Sequence, residues 1–350
     1  MRIDFFFFCK PPLFQLSVLG VLDSLFACFK ANISIEIPAP ESCKIHVISP
    51  TTEEATMQRS DKRDYLKAFF LVLSAGTIWS FGALIVRYME AAQSYQWQYL
   101  FYRGMTVAII LLIYLLTREG MTVVDHFKKI GLTELIGACG LVAAFSGYIL
   151  SITATTVANT LFMLAATPFI AAFLGIVLLQ EKVRYITWVA MIIAFFGILV
   201  MVREGLEADN LYGSLIALVS ALGFAVFSVS LRFRRETPKF TTIALAGLLC
   251  ALVASLIIFS DNDTLAMPLR NVYLSILHGI IVGFGLILFS IGSKLLPAAQ
   301  LTLLSMVEVV GGILWVYIPI FGIHEVPTVL TVTGGVILLG AIVLDGVSTR

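Results

Sequence analysis

Glu308 stands in the middle of an apolar run, Pro297–Phe321. An ionised carboxylate at that depth in lipid costs about 2.5–3.5 kcal/mol on insertion scales, which makes it a functional candidate. The residues on its helical face, at i−3, i+3, i+4 and i+7, are Ser305, Gly311, Gly312 and Trp315. That stripe of small, polar and aromatic residues suits a bundle interior better than acyl chains. Such a carboxylate binds a cationic group or a proton, or it serves as a structural partner to another polar group. Arg103 lies in the first half of the run Gln96–Thr117 and shares a face with Gln96, Tyr99 and Thr106. Three roles are open to it: holding a substrate carboxylate, pairing with Glu308, or snorkelling to headgroups. Trp79 sits in a stripe with Ala75, Gly76, Gly82 and Ala83, so its ring either lines a cavity or packs between close helices.

Further candidates are intramembrane amides and hydroxyls. Asn159, Thr160 and Gln300 lie near the starts of apolar runs and suit hydrogen bonds to substrate or to other helices, the latter worth about 0.6 kcal/mol each. Ser146, Tyr148 and His278 are secondary candidates. Pro168 removes a backbone donor in mid-run and is the expected hinge. Glu181 and Glu325 fall at run ends beside basic or histidine residues, as caps or gate latches.

Other chemistries find little support. The four histidines are scattered without metal-ligand spacing, and none of the five cysteines forms a CxxC pair, so neither a metal nor a cofactor is expected. No GxxxxGK[ST] motif is present, which removes the sequence basis for ATP-driven pumping. Net charge is +1, and the basic clusters Lys182–Arg184 and Arg232–Arg235 read as topogenic charges, not as a nucleic-acid surface.

The elements that position these residues follow from composition. The chain is 59% hydrophobic and 13% charged, with a mean hydropathy of +0.97, values foreign to a water-soluble globule. Ten stretches have the length and apolarity of membrane-spanning helices: Lys67–Met89, Gln96–Thr117, Gly131–Thr153, Thr155–Leu179, Val183–Val202, Leu211–Phe233, Phe240–Ser260, Asn271–Gly292, Pro297–Phe321 and Pro327–Leu344. Lys and Arg alternate loop by loop. One set of ends carries Lys67, Arg118, Lys128, Lys129, Lys182, Arg184, Arg232, Lys239 and Lys294; the other carries Arg87, Arg203 and Arg270 among Glu90, Glu207, Asp261 and Asp263. The positive-inside bias places both termini in the cytoplasm, in a plasma (inner) membrane protein.

Residues 1–60 differ from the rest. Phe5–Phe8 is broken by Lys10, Pro11 and Pro12, and a second apolar run carries Asp23. The segment reads as a targeting sequence, or else the native start is Met57, from which a short basic stretch leads into the first helix.

The chain also repeats itself. Setting Thr156–Pro168 against Pro297–Val309 pairs Ala158 with Ala299, Asn159 with Gln300 and Thr167 with Glu308. Each block runs on to a glutamate, Glu181 or Glu325, and Ser74-Ala75-Gly76 has a counterpart in Ser220-Ala221-Leu222-Gly223. Five helices per copy is odd, so the copies, residues 61–205 and 206–350, lie inverted in the membrane. With the Trp79 helix, the Arg103-Gly104 pair and the blocks ending in Glu181 and Glu325, the chain from Tyr65 to Asp345 resembles the EamA branch of the drug/metabolite transporter superfamily. The resemblance implies an all-α membrane protein of ten helices in two inverted five-helix repeats that moves small metabolites or drugs. Val309 departs from it, standing where the family often has proline after the acid of the ninth helix, so a helix break is open to question there.

The expected function is a secondary transporter that moves a small organic metabolite by alternating access, driven by protons or by exchange. Its substrate contacts are Glu308, Arg103, Trp79, Tyr99, Asn159, Gln300 and Trp315. An acid, a possible base and aromatics favour a zwitterionic or amphipathic solute. The partners are that solute and the lipid bilayer, with no nucleic acid and with a homodimer left open. Alternatives are a membrane-embedded enzyme of acyltransferase type, for which clustered His, Asp or Cys at one membrane face is missing from the sequence, and a drug-efflux exporter of the same fold.

Overall fold

The computed structural model describes residues 52–155, 157–203, 211–233, 239–317 and 328–348. Among them every regular element is helical. In chain order these are α1 (Thr52–Trp79), α2 (Phe81–Arg87), α3 (Gln96–Glu119), the short α4 (Val123–Lys128), α5 (Leu132–Ala154), α6 (Val157–Leu164), α7 (Thr167–Leu179), α8 (Tyr185–Val202), α9 (Leu211–Arg232), α10 (Phe240–Ser260), α11 (Leu269–Gly292), α12 (Ala298–Ser305), α13 (Val307–Tyr317) and α14 (Val329–Val347). Seven helical stretches among the described residues are long and apolar enough to cross a membrane, and the apolar helices Tyr185–Val200, Ala298–Gly312 and Val332–Val347 are shorter. Residues 1–51, Glu325 and the expected span limits Phe321 and Pro327 lie outside the described residues.

Three of the expected spans are interrupted. The first breaks at Ser80, between α1 and α2; the fourth at Ala165-Ala166; the ninth at Met306. Pro168 falls in the first turn of α7, where its missing donor is no loss. The carbonyl of Leu164, which a continuous helix would bond from position 168, instead accepts the Thr167 hydroxyl at 2.6 Å. The ninth span breaks without a proline: Val309 N turns to Met306 O at 3.0 Å.

Large apolar side chains point outward. Phe70, Phe173, Phe196, Leu256 and Phe259 are each more than half exposed, an arrangement suited to lipid. The interior uses small residues where helices meet. α5 packs on α9, α3 on α10, α8 on α14, and α11 on both α1 and α3. At two of these contacts glycine faces glycine. A Cβ on Gly140 would lie 2.8 Å from the Gly223 carbonyl oxygen, and one on Gly247 would lie 2.7 Å from that of Gly104. Any larger side chain would force the helices apart.

The end of the bundle that carries Lys182, Lys239 and Lys294 is tied together by charge. Arg232, the last residue of α9, places Nε and Nη2 2.7 Å from Glu181 Oε1. Its Nη1 donates to the carbonyls of Ser293 and Lys294 at 2.8 and 2.9 Å. Glu181 Oε2 accepts the Ala298 backbone N–H at 3.0 Å. Asp345, fully buried, accepts from Thr187 Oγ1 at 2.7 Å, from Arg184 Nη2 at 3.2 Å and from Gln300 Nε2. Lys239 reaches Glu134 at 2.7 Å. The opposite end relies on amides: Asn271 exchanges two 2.9 Å hydrogen bonds with the Glu90 backbone, and Gln93 donates to Thr153 O at 2.7 Å.

Candidate functional site

A cavity of about 110 Å³ lies inside the bundle, and its wall includes Trp79, Arg103, Phe145, Tyr148, His278 and Glu308. One water needs roughly 10–15 Å³ of such space, so the cavity admits a small organic solute. α5 supplies Leu141, Ala144, Phe145 and Tyr148, an i, i+3, i+4, i+7 stripe that lines one side. The breaks in the fourth and ninth spans border it, contributing Leu164, Thr167, Ser305, Met306 and Glu308.

Arg103 is 2% exposed and makes no hydrogen bond or ion pair among the described residues; its Nε is buried without an acceptor. The guanidinium carbon sits 4.4 Å from the centroid of the Phe145 ring, a cation–π contact that holds its plane. Glu308, in the first turn of α13, is half-buried and likewise has no hydrogen-bond partner among the described residues. The two charges are close enough to act on each other electrostatically, yet they form no ion pair. The Tyr148 hydroxyl is also uncommitted among the described residues. By contrast, Ser220, Thr167 and Ser305 spend their hydroxyls on backbone carbonyls of Ala144, Leu164 and Thr302.

Trp79 closes α1. Its Nε1 donates to Val282 O at 3.3 Å, and its ring meets Phe224 edge-on at 5.8 Å. Tyr99 stands behind the wall, with its hydroxyl 2.7 Å from His278 Nδ1, so it contacts the cavity through the histidine. Three expected contacts lie elsewhere because other helices claim their polar atoms. Asn159 donates to Ser214 Oγ at 2.8 Å, between α6 and α9. Gln300 joins Asp345 and the Tyr65 hydroxyl, the latter at 2.6 Å. Trp315 donates to Ser80 Oγ at 2.7 Å and stacks on Phe81 at 4.2 Å. Phe145 was not anticipated, although its spacing to Tyr148 on one helical face was a readable signal.

The geometry is that of a small, partly open cavity where a cation and an acid, neither of them paired among the described residues, meet a phenol and aromatic walls. Residues 66–203 match the model of the EamA-like transporter family. No curated protein matches the sequence significantly. A solved structure, described only as the crystal structure of a protein, shares the fold with a TM-score of 0.67 at 18% identity, covering 80% of this chain and 96% of its own.

Proposed function

We propose that this chain, whose residues 66–203 match the model of the EamA-like transporter family, is a multi-pass integral membrane protein of that family and a secondary transporter that moves a small organic metabolite by alternating access. It comprises ten spans in two inverted five-helix repeats, residues 61–205 and 206–350. Both termini are cytoplasmic, in the plasma membrane, and the drive is a proton or an exchanged solute. The observation that carries this reading is the cavity itself. Arg103 comes from the first repeat and Glu308 from the second, and neither is consumed by the fold. In this reading Arg103 and Tyr148 hold an anionic group, Glu308 a cationic group or a proton, and Trp79 and Phe145 the apolar body of a zwitterionic or amphipathic solute.

The packing supports the inverted repeat. The second span packs on the seventh, the fourth on the ninth and the fifth on the tenth. The third packs on the sixth as the eighth does on the first. Exchanging the halves maps this set onto itself. The alignment that pairs Asn159 with Gln300 also brings both ends of α6 onto both ends of α12. Saturable counterflow of radiolabelled solutes, screened in proteoliposomes of the purified chain, tests the proposal. Saturable counterflow of at least one small metabolite is expected, and its absence across a broad panel overturns it.

A further inference from the structure

α12 begins at Ala298 without a side-chain cap of its own. Its first turn is gripped from two sides. Glu181, from the end of the fourth span, accepts the Ala298 N–H at 3.0 Å. Asp345, from the end of the tenth, accepts from Gln300. Each carboxylate is backed by an arginine, Glu181 by Arg232 at 2.7 Å and Asp345 by Arg184 at 3.2 Å. Arg232 also holds the Ser293 and Lys294 carbonyls, so the connection leading into α12 is fixed as well.

From this turn, α12 is only eight residues long, about 12 Å of helix, and its side chains are buried throughout. It ends at the Met306 break, beyond which Glu308 faces the cavity. A helix so short and so packed moves as a rigid rod. Displacement of its first turn therefore reaches Ser305 and Met306 on the cavity wall.

We infer that Glu181 and Asp345 are positioning residues that close the basic end of the cavity by clamping the first turn of α12. Opening to that end requires both carboxylates to release it, and the release shifts Glu308. The inference rests on the alternating-access reading but concerns the closure and not the solute.

The test uses the full chain in lipid nanodiscs, with its native cysteines replaced and a single cysteine introduced by Ser305→Cys. The probe is a membrane-impermeant, positively charged methanethiosulfonate. A Lys294→Cys chain marks the basic face. Slow labelling of the cavity cysteine is expected in the otherwise native chain, with at least tenfold faster labelling in Glu181→Gln and in Asp345→Asn. The Glu181→Asp chain, which keeps a carboxylate to accept the Ala298 N–H, is expected to stay nearer to slow labelling than Glu181→Gln, a partial retention that mere destabilisation would not give. To resolve sidedness, the same chains in oriented proteoliposomes are labelled from each face, and only basic-face labelling is expected to accelerate. Unchanged rates in both conservative variants, or equal acceleration from both faces, overturn the inference. Labelling needs no flux: faster labelling without counterflow would leave the clamp standing and sink the transport reading, whereas counterflow with unchanged labelling would do the reverse.

Discussion

The central cavity and the basic end of the bundle hold the same kinds of residue in opposite conditions. At the basic end, Arg232 and Glu181 touch at 2.7 Å, and every remaining polar atom of the pair named above finds a backbone partner. In the cavity, Arg103 and Glu308 share a wall without forming an ion pair. Burying a charge is costly, and pairing recovers that cost only when the geometry is good. The fold makes a well-formed pair in one place and none in the other among the described residues, which is what the proposed transport reading requires of groups that receive a solute.

The strongest way to break the comparison is to delete one partner at the basic end. Glu181→Ala strands the Arg232 guanidinium and the Ala298 N–H and should cost about 3–5 kcal/mol, read by thermal unfolding in detergent. Glu308→Ala strands nothing and should stay within about 1 kcal/mol of the native chain. Equal losses would erase the distinction. Next, Glu308→Gln should abolish or uncouple counterflow while leaving unfolding nearly unchanged; undiminished coupled flux would remove the acid from the mechanism. Arg103→Lys keeps the charge but gives up the planar fork over Phe145. Losing a partly desolvated cation–π contact and a bidentate geometry should weaken solute binding about tenfold, or about 1.4 kcal/mol, measured as the half-saturation of counterflow. The smallest effect belongs to Tyr99→Phe, which removes the hydrogen bond to His278. It should lower stability by about 1 kcal/mol, with a modest change in half-saturation as the histidine side of the wall loosens.

Much of the architecture was legible because lipid imposes long apolar helices, and stretches such as Gln96–Thr117, Gly131–Thr153 and Phe240–Ser260 read directly as such. Breaks at Ser80 and Met306 were not legible, since neither carries a proline. Glu308, Arg103 and Trp79 stood out by polarity or size against an apolar background, and all three line the cavity. Asn159, Gln300 and Trp315 stood out for the same reason yet bond to other helices. Helical periodicity tells which side of a helix faces inward but not which neighbour waits there. The same limit left Arg103 with three open roles; in the structure it is 2% exposed and forms no ion pair among the described residues.

The two interrupted spans beside the cavity differ in permanence. At Pro168 there is no amide hydrogen to give, and the Leu164 carbonyl has already taken a hydroxyl instead, so that elbow cannot straighten into an unbroken helix. At Met306 the amide donors are all intact, and Val309 has merely bonded one residue short. One interrupted helix is thus fixed by covalent structure, while the one bearing the acid keeps every amide donor that an unbroken helix would use.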